Sequence, residues 1–400
     1  MADRVTVIGW DGSPLTEAAR AALGAASLVA GTRHHLALPS VPAGAERIVL
    51  GSIDIAARRI ARHRGTAVVL ADGDPGFFGV VRALRAPELG LEVEVVPGVS
   101  AVASAFARAG MPWDDARVVV AGARTLRRAV NVCRACPKVA VLTAPGAGPA
   151  ELALLLTGVH RTFVICEALG TAQEQVTVLT SDKVADHIWR DPNVVLVVGG
   201  VSSAAPNVAG RGGWIAGRDP GFPGPVRGWA LPSAEYGGSL SAQVRAFQLA
   251  RLGPRTGDLV WDVGAADGSL AVEAARFGAA VIAVDRDQDA CDWITATARR
   301  NGVQMQVVHG AAPEALEDLP EPDVIRIGPA DARVAAACAA RRPERIVASA
   351  VTRVQAEAVG AALEAAGYDV ERSLLQSVEL DGEWLEQARS AGFVLCGTRR

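Results

Sequence analysis

Short apolar runs alternate with stretches of helical spacing from one end of the chain to the other. Apolar runs bounded by turn residues read as buried strands, and the 3.6-residue spacing between them reads as amphipathic helix. In the first half the strand candidates are 4–9, 66–71, 92–96, 117–121, 138–142, 161–166 and 194–199, with helical stretches at 15–26, 52–64, 98–110 and 148–157. The pattern breaks at 199–228, GGVSSAAPNVAGRGGWIAGRDPGFPGPVRG, where nine Gly and four Pro exclude a helix or a central strand. This segment reads as a linker, partly ordered by Trp214 and Phe222. The alternation then resumes with an amphipathic helix over 239–252 and strands at 259–263, 280–284, 305–308, 323–327, 344–348, 369–377 and 393–397. Seven such strands suit a compact nucleotide-binding unit. The prediction is an α/β protein with domains at 1–200 and 228–400 joined by a linker at 201–227.

Composition narrows the function. With 400 residues, half of them hydrophobic and 21% charged, each domain can bury a core. Aromatics are only 4%, so Ala, Val and Leu do the filling. A net charge of −3 argues against a nucleic-acid partner, which calls for a basic face. No apolar run reaches the ~20 residues of a membrane span. The start, MADRVTVIGWDG, enters a strand with no signal segment, so a cytoplasmic location is expected. Cys133 and Cys136 form a C-x-x-C at a helix end with no second Cys/His pair nearby, and read as packed thiols. No metal cluster and no catalytic triad is expected.

The second half carries the clearest chemical motif. In LVWDVGAADGSLAVEAARFGAAVIAVDRD, 259–287, a strand runs into a glycine turn and then a helix, and a second strand ends at Asp285. Parallel α/β sheets bind nucleotides at this place, where the helix N-terminus offers free N–H groups and an acidic side chain takes ribose hydroxyls. A dinucleotide and S-adenosylmethionine share this plan, and a bare tight turn is the plainer reading. Three features favour the methyl donor. Asp262 would repel a pyrophosphate but orient a cationic methionine end. The spacing Gly264…Gly268 is Gly-x-x-x-Gly, and a helix precedes the motif.

The first half has three strand-end loops instead: VIGWDGSPL (7–15), VLADGDPGFFG (69–79) and EVVPGVSAVASAFARAG (94–110), with Ser100 a candidate helix cap. Each alone is common; three in order would line one crevice.

GWDGSP, DGDPGFFG and PGVSA resemble the three ligand loops of the tetrapyrrole (corrin) methylases, and VAGTRHHL (29–36) resembles the GxxRHL stretch of the branch that methylates C5. The second half, with VVHGAAPEAL (307–316), is similar to the partner that methylates C15 and removes a ring-C acetate carboxylate. In this order the halves resemble the fused C5,15-methyltransferases (decarboxylating) of cobalamin biosynthesis. The resemblance implies a two-lobed tetrapyrrole methylase domain, then a seven-stranded Rossmann-like class I methyltransferase domain. It implies two S-adenosylmethionine sites, a tetrapyrrole substrate and a homo-oligomer. Carried over by motif, Gly9, Gly73, Asp74, Ser100 and Ala101 would touch the first cofactor, with Glu167 nearby. Asp262, Gly264, Gly268 and Asp285 would hold the second, with Gly310 and Ala311 at its adenine. Arg33 and His34 would meet the carboxylate-fringed substrate; the run Arg58, Arg59, Arg62, Arg64 reads as a solvated helix face.

Several positions depart from the family pattern. The glycine turn reads Gly264-Ala265-Ala266-Asp267-Gly268, Leu240 stands where a Thr would meet the cofactor, Gly328-Pro329 replaces a glycine pair, and Ser390-Ala391 replaces Asn-Pro. In the first half Gly122 stands where a His would be. The departures cluster in the second half and put C15 methylation in doubt rather than the fold. Two alternatives remain. One is a divergent paralogue, with only its C5-methylating half active or binding ligands without catalysis. The other is an NAD-dependent oxidoreductase.

Overall fold

The computed structural model describes residues 4–199, 216–217, 230–237, 240–329 and 331–400. The expected linker, with Trp214 and Phe222, lies outside the described residues except at 216–217.

The described residues form three sheets. The first is all parallel, in the order Glu46–Val49, Leu28–Gly31, Ala67–Asp72, Arg4–Trp10, Glu92–Val96. Its middle strands, AVVLAD and RVTVIGW, are buried through most of their length, as near-continuous apolar runs in a parallel sheet must be. The helix Ile53–Arg62 packs on it through Ala56, Ala57 and Ile60, leaving Arg58, Arg59 and Arg62 exposed; Arg59 pairs with Glu46. That run is a solvated face, as its spacing suggested.

The second sheet is mixed, in the order Arg117–Val120, Lys138–Leu142, Asn193–Val198, Thr162–Glu167, Gln175–Thr180. Only its first pair is parallel.

The third sheet has seven strands, in the order Gln306–His309, Ala280–Asp285, Leu259–Val263, Val324–Ile327, Arg345–Ala350, Glu386–Arg399, Tyr368–Leu380. The first five are parallel and the last two form an antiparallel hairpin. All seven strands read from the sequence are present. The preceding helix starts at Ala242 because the Ser241 hydroxyl accepts from Val244 N (3.3 Å), a cap that ends the extended chain there. Strand order reverses at Leu259–Val263, whose neighbours are Ala280–Asp285 and Val324–Ile327. Such a switch point opens a crevice at the carboxyl ends of the strands.

The segment Ala230–Tyr236 belongs with this third sheet. Glu273, fully buried on the helix Ser269–Arg276, accepts from Leu231 N (2.8 Å) and Tyr236 Oη (2.8 Å) and pairs with Arg276 (2.9 Å). The two halves also touch. Asn131 Nδ2 donates to Gly257 O (3.0 Å), Arg161 donates to Gln304 Oε1 (2.7 Å), and Arg127 pairs with Asp323. Among the described residues no helix is long and apolar enough to cross a membrane.

Candidate active sites

Three loops of the first sheet converge at the carboxyl ends of adjacent strands. Gly9, Gly73 and Gly98 are the point of convergence: a Cβ on Gly9 would overlap the carbonyl of Gly73 and stand 2.6 Å from Gly98 N. Gly73 has φ +62°, and a Cβ there would stand 2.8 Å from Ala101 N. Only glycine lets the loops come this close. Asp11 ties the first loop to the third. One carboxylate oxygen accepts from Ser13 N and the Ser13 hydroxyl, and the other accepts from Val99 N (3.1 Å). These bonds, the Ser13 hydroxyl first, hold Asp11 below the usual carboxylate range. Asp74 accepts from Gly76 N (2.8 Å), and the Ser100 hydroxyl caps its helix by accepting from Ala103 N (3.1 Å).

The loops form one wall of a cleft of about 180 Å³ between the first two sheets. Gly73, Asp74, Ser100 and Ala101 line it, with Phe77 and Val102 beside them. Gly9 lies beneath, where it shapes the loops rather than the surface. The second sheet supplies the opposite wall through Leu142, Thr143, Leu169 and Asn193. Thr143 Oγ1 donates to Asn193 Oδ1 (2.7 Å), and Asn193 Nδ2 donates to Arg190 O (2.9 Å), so this wall is polar but fixed. Glu167 is buried and accepts from Arg190 N (2.7 Å), bracing the same wall from behind.

Arg33 and His34 lie on the one-turn helix Arg33–Leu36 beyond the strand Leu28–Gly31. Arg33 is exposed. His34 Nε2 is 2.9 Å from Asp72 Oδ1, and Asp72 lines the cleft. Burial works against ionisation of Asp72, but the His35 and His34 rings outweigh it and hold the carboxyl below its ordinary value.

The second candidate site is the turn after Leu259–Val263. Gly264 (φ +69°) and Ala266 (φ +53°) are exposed, while Gly268 (φ +69°) is buried against Ile294. Asp285 joins the turn to the next strand end: its Oδ2 accepts from Ala266 N (2.8 Å) and its Oδ1 from Asp287 N (3.0 Å). Gly310 N donates to the Asp285 carbonyl (2.8 Å), which brings Gly310 and Ala311 to the same rim. Asp262 is different. It is fully buried, Arg326 Nη1 donates to its Oδ1 (2.9 Å), and its Oδ2 has no hydrogen-bond partner among the described residues. Burial pushes its pKa up, against the pull of Arg326. Arg326 also donates to Gly264 O (3.0 Å), so the ion pair fixes the turn from below. Leu240 N donates to Asp267 Oδ2 (3.3 Å), placing Leu240 against the same turn.

Known proteins divide the chain in the same way. The family of tetrapyrrole (corrin/porphyrin) methylases matches residues 10–185, and the precorrin methyltransferase domain family matches residues 235–387. A Sinorhizobium protein named precorrin-6Y C(5,15)-methyltransferase [decarboxylating] is 33% identical over 360 residues, covering 86% of this chain and 83% of its own. The chain belongs to the precorrin-6Y C5,15-methyltransferase family. Two further relatives carry the names of single reactions. The cobalt-precorrin-7 C(5)-methyltransferase of Salmonella typhimurium is 37% identical over 40% of this chain and 82% of its own. The probable cobalt-precorrin-6B C(15)-methyltransferase (decarboxylating) of Pyrobaculum calidifontis is 37% identical over 32% of this chain and 71% of its own.

For this precorrin-6Y C5,15-methyltransferase family member, sequence reasoning missed Asp11, Thr143, Asn193 and Arg326. Arg326 had a signal: a charge inside the strand VIRI needs a buried partner, and the acid inside LVWDV is the matching one. Asn193 had none, since its position depends on a strand pairing 50 residues from Thr143. Cys133 is buried and Cys136 half-buried; burial pushes both thiols up and keeps them protonated, which fits packing rather than redox chemistry.

Proposed function

We propose that the chain methylates a precorrin-6Y-type corrin precursor at C5 and C15, with loss of the ring-C acetate carboxylate as CO₂. In this reading the first two sheets are the lobes of a tetrapyrrole methylase domain within 1–200. The seven-stranded sheet is a Rossmann-like class I methyltransferase domain within 228–400. The observation that carries it is the 33% identity that runs through both halves to a relative named for both positions.

The residues suit S-adenosylmethionine in each half. The first cleft mixes apolar walls (Phe77, Val102, Leu142) with fixed polar groups (Thr143, Asn193, Asp74), as an amphipathic cation requires. In the second half the exposed backbone at Gly264 and Ala266 lies beside a half-exposed carboxylate at Asp285. Bound there, S-adenosylmethionine would supply an electrophilic methyl on a sulfonium. The protein's work is then to align the acceptor carbon and exclude water. Asp74, Ser100 and Ala101 hold the first donor; Asp285, Gly264, Gly310 and Ala311 hold the second. Asp262 acts at one remove, through Arg326 and the turn. Arg33 and His34 meet the substrate's carboxylates at the rim. In the decarboxylation, the electron pair of the departing carboxylate passes into the conjugated macrocycle and the carbon takes up a proton.

The second half holds its donor less tightly than the first. Ala266 puts a methyl and a strained φ where a glycine would stand, Arg326 already neutralises Asp262, and Leu240 offers no hydroxyl. C5 methylation is accordingly the faster reaction. Incubation of the full chain with precorrin-6Y and S-adenosylmethionine, followed by mass spectrometry over time, tests this. The first methyl should appear before the second methyl and the loss of CO₂. A chain that adds no methyl contradicts the function, and equal rates contradict the asymmetry.

A further inference from the structure

Beside the first cleft stand three donor atoms that take no part in the transfer of the methyl group itself. His34 Nε2, His35 Nε2 and Asp72 Oδ1 lie within 4.8 Å of one another. The two ring nitrogens are 2.9 and 3.1 Å from the same carboxylate oxygen. His35 is fully buried; its Nε2 faces Asp72 without hydrogen-bond geometry and has no other partner among the described residues. A single hydroxyl stands behind both rings: Thr32 Oγ1 is 2.9 Å from His34 Nδ1 and 2.9 Å from His35 Nδ1. When that oxygen accepts from His34 Nδ1–H, His34 presents a lone pair at Nε2, the form that ligates a metal. Thr32 N also donates to His35 Nδ1 (3.4 Å), so His35 takes that form only where its Nδ1–H turns to Thr32 Oγ1 in place of this contact. A lone pair facing a carboxylate oxygen is repelled unless a cation sits between them.

We propose that His34, His35 and Asp72 bind one divalent transition-metal ion, with Zn²⁺ and Co²⁺ the best matched. Two imidazoles and one carboxylate form a donor set of that softness. Bond lengths of about 2.0–2.2 Å would set neighbouring donors about 3.3 Å apart at the tetrahedral angle, so each imidazole nitrogen needs to draw back from the carboxylate oxygen only slightly. It is also preorganised. Asp72 is in register with Trp10 across the parallel strands, and the Trp10 ring meets His35 edge-on at 5.8 Å. Three ligands leave further coordination positions for water or for a carboxylate of a molecule in the cleft that Asp72 lines. Metal binding at these residues stands independently of the methyl-transfer reading, and it departs from the sequence expectation of no metal.

The test uses the full chain, stripped with a chelator and dialysed. Co²⁺ is added and followed by visible absorption, and Zn²⁺ by calorimetry. One ion per chain is expected, with the intense absorption of low-coordinate Co²⁺. His34→Ala should weaken binding at least about tenfold, the lower bound for losing even an outer-shell partner of a ligand. His34 is exposed, so its truncation leaves the core intact; circular dichroism checks this. Asp72→Asn, which keeps the side chain's shape, should weaken binding likewise. No saturable binding, or binding unchanged in both variants, would overturn the proposal.

Discussion

Single residues set the quality of each candidate site, and Ala266 is the most telling. The turn requires φ +53° there, a conformation that costs a residue with a Cβ about 1–2 kcal/mol. Glycine removes that cost but adds freedom to the unfolded chain. Ala266→Gly should therefore stabilise the second half by up to about 1 kcal/mol, measured as a raised unfolding midpoint; a lowered midpoint would mean the methyl packs usefully. That Ala266 stands where a glycine is usual was legible only against the family's glycine turn, and the angle it must adopt was not legible at all. Asp11 shows the opposite. Nothing in GWDGSP marks it as the tie between loops, because Val99 is 88 residues away. Its folded pKa is lowered, so its stabilising contribution is present above the unfolded value of about 3.9. That contribution is lost as pH falls through the lower folded value. Asp11→Asn should flatten the acid limb of a plot of thermal midpoint against pH below about pH 4. An unchanged slope there would remove the tie.

At the level of elements, most strands announced themselves, the edge strands at 92–96, 117–121, 305–308 and 369–377 included, and three did not. AVVLAD, LVWDV and NVVLVV are apolar runs with turn residues on either side, and each lies inside a sheet. Leu28–Gly31 is fully buried inside its sheet but only four residues long, and Glu46–Val49, also of four residues, is an edge strand exposed at three of them. Gln175–Thr180 is also an edge strand, with two threonines and no fully buried residue. A run of four residues is too short to show a period, and weak burial blurs the pattern of the two edge strands, so all three escape a pattern reading. Pairing between strands was likewise out of reach, and it decides what Asp262 does. Asp262 and Arg326 are partners in register on adjacent strands, and both side chains are nearly solvent-free. Removing one partner of a buried pair strands the other charge, at about 3–5 kcal/mol. Arg326→Met should lower the urea midpoint of the second half accordingly, and Asp262→Leu in the same chain should recover most of the loss. A single variant as stable as the parent would contradict the ion pair.

The whole molecule joins two unlike scaffolds. The first places three converging loops between two five-stranded sheets; the second places a glycine turn at the switch point of one seven-stranded sheet. In the sequence, the Gly/Pro-rich break lies between two motif sets of different spacing. The sequence did not announce the contacts between the halves, such as Asn131 with Gly257 and Arg161 with Gln304, because side chains on outer faces carry no periodic signal. The central claim is that one chain holds two sites for one donor. Calorimetric titration of the full chain with S-adenosylhomocysteine tests it most directly. Two molecules should bind per chain with unequal affinity. Gly73→Val, whose side chain would press on Ala101 N, should abolish the tighter event and spare the weaker. A single binding event, or the loss of both events in that variant while the second half remains folded, would contradict the account.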